Sequence, residues 1–177
     1  GAMYTDGAAG IDLNGAAFTL NNAIFCTGNG PVSITNSGLL TIAAAGDITI
    51  DGAFTQDGAG SVSTAGDIIT SGDTISFLRG ITLTGAVSLN TTNGAAGADI
   101  TLSSTVDGAS SLTIVAGSDG DILCSGSIGN TTPISSINAS GKTISVEGVK
   151  TTGSQSYIGT TTLGSDLTST VSGAISI

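Results

Sequence analysis

Four short segments place a carboxylate in the same local setting: Gly46-Asp47-Ile48, Gly66-Asp67-Ile68, Ala98-Asp99-Ile100 and Gly120-Asp121-Ile122. Carboxylates repeated in this way have two physical uses. Stacked about 4.8 Å apart, Asp47, Asp67, Asp99 and Asp121 would form a row able to attract Ca²⁺, which takes roughly six to eight oxygen ligands. As turn residues they would instead spend their oxygens on nearby backbone amides. The calcium repeat Gly-Gly-x-Gly-x-Asp is missing and these Asp residues recur only every 20 or so positions, so the turn role takes precedence and no cofactor is expected.

Other constellations were weighed for chemistry. Asp119 with Asp121, or Asp47 with Asp51, supplies the two carboxylates that glycoside cleavage requires. The chain has no His and no Trp, and its only basic residues are Arg79, Lys142 and Lys150, so developing negative charge finds little support. Tyr4, Tyr157, Phe18, Phe25, Phe54 and Phe77 are scattered, as expected of core or end residues rather than a sugar platform. The abundant Ser and Thr lack a base to activate them and suit the solvent face of strands. Catalysis is therefore not expected. The candidate binding residues are Arg79 and Phe77, where a fork-shaped donor beside apolar surface suits a carboxylate or sugar acid. The competing role for Arg79 is a solvated turn residue.

The elements that must position these groups are short. Ile48-Thr-Ile50, Ile81-Thr-Leu83, Val87-Ser-Leu89, Ile100-Thr-Leu102, Leu112-Thr-Ile114, Ile144-Ser-Val146 and Ile175-Ser-Ile177 repeat one apolar, polar, apolar triplet. Such alternation is the period of a strand with one face inward. Ile48 lies 20 positions before Ile68, Ile100 lies 22 before Ile122, and Ile144 follows 22 later. Ile81, 19 before Ile100, fills the gap. A unit of about 20 residues is too short for its own core and suits one coil of a parallel β-helix, a β-solenoid stacked from identical turns. The fold expected is all-β, with coils of 19 to 22 residues and an inward ladder of Ile48, Ile68, Ile81, Ile100, Ile122 and Ile144. Cys26 and Cys124 would lie about five coils, or roughly 24 Å, apart and stay unpaired, because a disulfide needs α-carbons within about 7 Å.

Composition is consistent with this reading. The 177 residues are 39% hydrophobic yet only 3% aromatic, and 28 are Gly, a balance that suits narrow, turn-rich structure. A net charge of -10 argues against nucleic acid and anionic membrane surfaces. Nothing divides the chain, so residues 4–177 are expected to form one domain, less regular over 4–45. Gly1-Ala2-Met3 reads as an expression scar, and the native chain is expected to continue beyond both ends.

From residue 93 onward the pieces fall in a recognisable order. Gly-Ala-Asp-Ile-Thr-Leu at 97–102, Thr-Val-Asp-Gly-Ala at 105–109, Ser-Leu-Thr-Ile at 111–114, Thr-Thr-Pro-Ile at 131–134 and Thr-Thr-Gly-Ser-Gln-Ser-Tyr at 151–157 are followed by Thr-Leu-Gly-Ser-Asp-Leu-Thr at 162–168. This stretch resembles the β-strand repeats of giant filamentous-haemagglutinin-like bacterial surface proteins. The resemblance implies a right-handed parallel β-helix, export, and a place on the bacterial cell surface or outside the cell. It further implies a non-catalytic role in adhesion or spacing, with a host-cell or neighbouring-cell receptor or glycan as partner. The alternatives are a fibre that self-associates end to end and, third, a polysaccharide-degrading β-helix enzyme. Arg79 within Phe77-Leu-Arg-Gly80 departs from these repeats and marks a specialised segment.

Overall fold

The computed structural model describes all 177 residues as 22 strands without a helix. Parallel strands wind into about eight stacked coils about 21 residues apart, a β-solenoid. Each full coil contributes one short strand to each of three faces. The first face begins with Met3–Asp6, Ile24–Thr27 and Ile48–Ile50, the second with Ile11–Gly15, Val32–Asn36 and Phe54–Gln56, and the third with Phe18–Leu20, Leu40–Ile42 and Val62–Thr64. Residues 4–45, less regular in sequence, thus form the opening coils in the same register as the rest.

Alternation decides what points inward. In Ile48-Thr-Ile50 and Ile100-Thr-Leu102 the two aliphatics are buried and the Thr between them is half-buried on the outer surface. Coil upon coil, the second face builds an inward column of Ile11, Val32, Phe54, Ile75, Ile100, Ile122 and Ile144. Outside it runs a column of Asp12, Ser33, Thr55, Ser76, Thr101, Leu123, Ser145 and Thr162, mostly hydroxyls. The inner columns merge into a core of 34 buried residues, each large aliphatic contributing about 1.5–3 kcal/mol by leaving water.

Two expectations are corrected. The six isoleucines are all buried, but they do not form one ladder. Ile48 and Ile68 stack on the first face and are followed there by Leu89; Ile81 lies on the third face between Val62 and Val106; Ile100, Ile122 and Ile144 stack on the second. Each coil carries three similar triplets, so a spacing near one coil length does not identify the face. Coil length also varies more than 19 to 22. Ile75 pairs with Ile100, 25 positions on, whereas Ile144 pairs with Thr161, 17 positions on. The extra length in the first case lies in the corner from Thr91 to Ala98, closed by the Thr91 hydroxyl, which donates to the Ala98 carbonyl at 2.9 Å and accepts from the Ala98 amide at 3.0 Å.

One buried column, rising from Leu13 and Ile34, is interrupted by the polar rung Gln56. Gln56 Nε2 donates to Asn36 Oδ1 at 2.7 Å, and Asn36 Nδ2 donates to the Gly38 carbonyl at 2.6 Å. Both amides are fully buried and hydrogen-bonded, which removes the penalty for taking them out of water. Above Gln56 the column is apolar again at Phe77, Leu102, Cys124 and Val146. Gly58 lies against this amide pair: a Cβ there would fall 2.0 Å from the Asn36 carbonyl oxygen and 2.2 Å from its nitrogen. Gly58→Ala is expected to cost about 1–3 kcal/mol in a denaturant titration, as overpacking does, whereas Gly7→Ala, with open space at its Cβ, should leave the midpoint unchanged. Equal midpoints for the two variants would refute the close approach of successive corners.

Candidate functional site

The repeated Asp residues occupy corners, and their oxygens are engaged by the next coil. Asp47 Oδ1 accepts from the Asp67 amide at 2.9 Å, and Asp67 Oδ1 accepts from the Ser88 amide at 2.8 Å. At a different corner, Asp99 Oδ1 accepts from the Asp121 amide and Asp121 Oδ1 from the Thr143 hydroxyl, both at 2.8 Å. The expected single row of four carboxylates is therefore two rows of two, one leading into the first face and one into the second. The reason is the one that split the isoleucine ladder, since each Asp precedes its Ile. The amides they bind lie 20 to 22 residues away rather than in the same turn. No three His, Cys, Asp or Glu side chains come together in a geometry able to hold a metal ion.

Of the four carboxylates that could pair for glycoside cleavage, Asp47, Asp51 and Asp121 tie coil to coil. Asp51 Oδ1 accepts from the amide of Asn29 at 2.9 Å, which steadies that residue at φ 63°, the left-handed region. Asp47 and Asp51 flank opposite ends of the strand Ile48–Ile50, about 13 Å apart at the rise of an extended chain. That exceeds the roughly 5–9.5 Å over which paired carboxylates cleave a glycosidic bond. Asp119 Oδ1 accepts from the Ser118 hydroxyl at 3.1 Å.

Arg79 and Phe77 do not form a joint binding surface. Phe77 follows the strand alternation inward, is 1% exposed, and packs on Phe54 with ring centroids 5.1 Å apart and planes tilted by 48°. Its assignment to a binding surface is corrected: the ring belongs to the core. Arg79 is exposed at the corner, and its Nε donates to the Gly58 carbonyl at 3.1 Å, while its amide donates to the buried Gln56 Oε1 at 3.3 Å. The apolar neighbour it presents to solvent is Leu78.

The structure also places together what sequence reading left apart. Tyr4 and Phe25, scattered along the chain, are one coil apart and stack on the outside of the first face, with centroids 5.0 Å apart and planes within 13°. Their spacing of 21 residues was the signal. Asp6, two residues beyond Tyr4, accepts from the Thr27 hydroxyl at 3.0 Å beside them.

Cys26 and Cys124 are free and buried. Cys26 faces inward from the first face in the second coil, and Cys124 from the second face in the sixth. They are four coil steps apart, about 19 Å along the axis, rather than five, because intervening coils run to 24 or 25 residues. Burial pushes the Cys124 thiol up to about 12, and burial followed by the Asp51 carboxylate raises Cys26. Tyr157, donating its hydroxyl to Gln155 Oε1 at 2.9 Å, is likewise raised by burial and then by the Cys124 thiolate.

No protein-family model, curated protein or solved structure matches this chain. The fold and its corner contacts define a β-solenoid rod whose carboxylates tie coil to coil.

A chelator should leave the thermal midpoint unchanged, whereas Asp67→Ala should lower stability by about 1–3 kcal/mol by leaving the part-buried Ser88 amide without its acceptor; a calcium-dependent midpoint would reverse the assignment of these carboxylates. In the native protein at pH 8, thiol reagent should modify neither cysteine until denaturant is added. The Cys124 thiol keeps its proton in the folded state to about 12 but loses it near 9.0 when unfolded, so its contribution is present below pH 9 and lost as pH rises toward 12. A denaturation midpoint constant across pH 9 to 12 in the wild type would contradict the raised thiol.

Proposed function

We propose that the chain is a non-catalytic segment of a large bacterial adhesin, exposed on the cell surface or secreted, that acts in adhesion or as a structural spacer rod. The observation that carries this reading is where the carboxylates go. Asp47, Asp51, Asp67, Asp99 and Asp121, which include the strongest candidates for chemistry, hold neighbouring coils together and so serve the length of the rod. The outer surface supports the same reading, with Ser and Thr columns that keep a long rod wetted and leave its faces open to a receptor or glycan. The resemblance of residues 93–177 to filamentous-haemagglutinin-like repeats agrees with both.

A second reading, a self-assembling fibre or surface-layer component, draws on the parallel stacking itself, since each coil pairs edge to edge with the next and an edge of this kind can add a further chain. The polysaccharide-degrading alternative is weaker, given the separation of Asp47 from Asp51.

Immobilised chain presented to cells and to a glycan panel separates these functions. An adhesive segment binds saturably; a spacer binds nothing and sediments as a 16.9 kDa monomer at every concentration; a fibre grows with concentration. Release of products from acidic polysaccharides would sink the non-catalytic reading.

A further inference from the structure

Nine of the 13 acidic side chains accept a hydrogen bond from within the chain: Asp6, Asp47, Asp51, Asp57, Asp67, Asp99, Asp107, Asp119 and Asp121. The other four are Asp12, Asp73, Glu147 and Asp166. Two of these four, Glu147 and Asp166, border one surface notch of about 250 Å³, and the half-buried Lys150 borders it as well. In a chain with only three basic residues, an ammonium and two uncommitted carboxylates in one cavity are a concentration of charge found at no other cavity of the rod.

The notch lies where the third face is interrupted. Its five-stranded ladder ends at Val106–Asp107, and a separate pair, Val149–Thr151 with Leu167–Ser169, resumes it. Between them the sixth coil makes only single bridges at Ile128, with Gly129 at φ 72° packed closely under the Lys150 carbonyl. The notch lies beside this shortened strand, where Ser127, Asn130 and Thr168 bring hydroxyls and an amide to its walls.

We propose that this notch binds an uncharged sugar ring of a glycan, an inference that rests on the adhesive reading and gives it a site. Electrostatics selects the ligand class. Two carboxylates on a chain of net charge -10 oppose an anion, Lys150 offsets one of the two negative charges a cation would seek, and walls apolar only at Ile128 and Val149 give a greasy ligand little to bury. A neutral polyol matches what remains. Adjacent ring hydroxyls donate to Glu147 and Asp166, Lys150 donates to a ring or hydroxyl oxygen, and charged partners make these the stronger kind of hydrogen bond. At about 250 Å³ the notch falls below the roughly 300–1,000 Å³ of a drug-sized site, which suits one terminal ring with the rest of the glycan in solvent.

The test is an amide NMR titration of the full chain with neutral disaccharides of glucose, galactose and mannose, alongside sialyllactose as the anionic and a glucosamine disaccharide as the cationic counterpart. The amides of Ser127, Lys150 and Thr168 should shift with at least one neutral disaccharide, and both charged sugars should bind about tenfold more weakly or worse. The double variant Glu147→Gln/Asp166→Asn, and separately Lys150→Ala, should weaken binding by about tenfold at an unchanged thermal midpoint, as expected when a hydrogen bond to a charged group is lost. No notch shift with any neutral disaccharide, or a preference for either charged sugar, overturns the proposal. If wild type and the double variant bind cells equally, the notch is refuted and the adhesive reading stands. If neutral disaccharides shift the notch while the wild type binds no cells, the site stands and the adhesive reading falls.

Discussion

Everything in this rod depends on one constraint: a coil must close and arrive one strand spacing above its own start, in register with the coil below. Backbone hydrogen bonds between coils enforce it, and 101 backbone pairs in 177 residues, mostly from one coil to the next, measure how completely the chain obeys. The condition is on the end of the path, not its length. A coil of 25 residues and one of 17 both satisfy it, because the surplus is taken up at corners such as Thr91 to Ala98 while the strands remain aligned.

The same constraint explains the unusual composition. Where one corner sits directly on another, as Gly58 on Asn36, no side chain fits, so Gly is required by approach rather than by conformation. Where a corner has an amide facing the next coil, a carboxylate receives it, and Asp becomes an axial tie. Inside, like stacks on like. Aliphatics meet aliphatics over most of the length, and where amides enter the core, at Asn36 and Gln56, they come in a mutually bonded pair. Gln155, the other buried amide, bonds instead to the Thr168 carbonyl and the Tyr157 hydroxyl.

Function is what the constraint leaves over. Most carboxylates accept a hydrogen bond from within the chain, and one of the two candidate binding residues, Phe77, is buried in the core. Two of the four carboxylates without such a bond, Glu147 and Asp166, meet Lys150 beside the shortened strand of the third face.

The triplets alone determined a great deal: all-β structure, parallel stacking, a coil near 20 residues, and two cysteines too far apart to join. Those follow from local alternation and from approximate spacing, both written directly in the chain. Which face a triplet belongs to was decided only by the tertiary structure. Ile81 follows Ile68 by 13 residues, part of a coil, and precedes Ile100 by 19, which resembles a full coil only because the following coil is long. Spacing cannot resolve this, because three equivalent strands per coil make the pattern degenerate and corner lengths vary without changing any strand. For the same reason the four Asp residues separated into two rows, Tyr4 met Phe25 on the surface, and Glu147 met Lys150 and Asp166 around one notch.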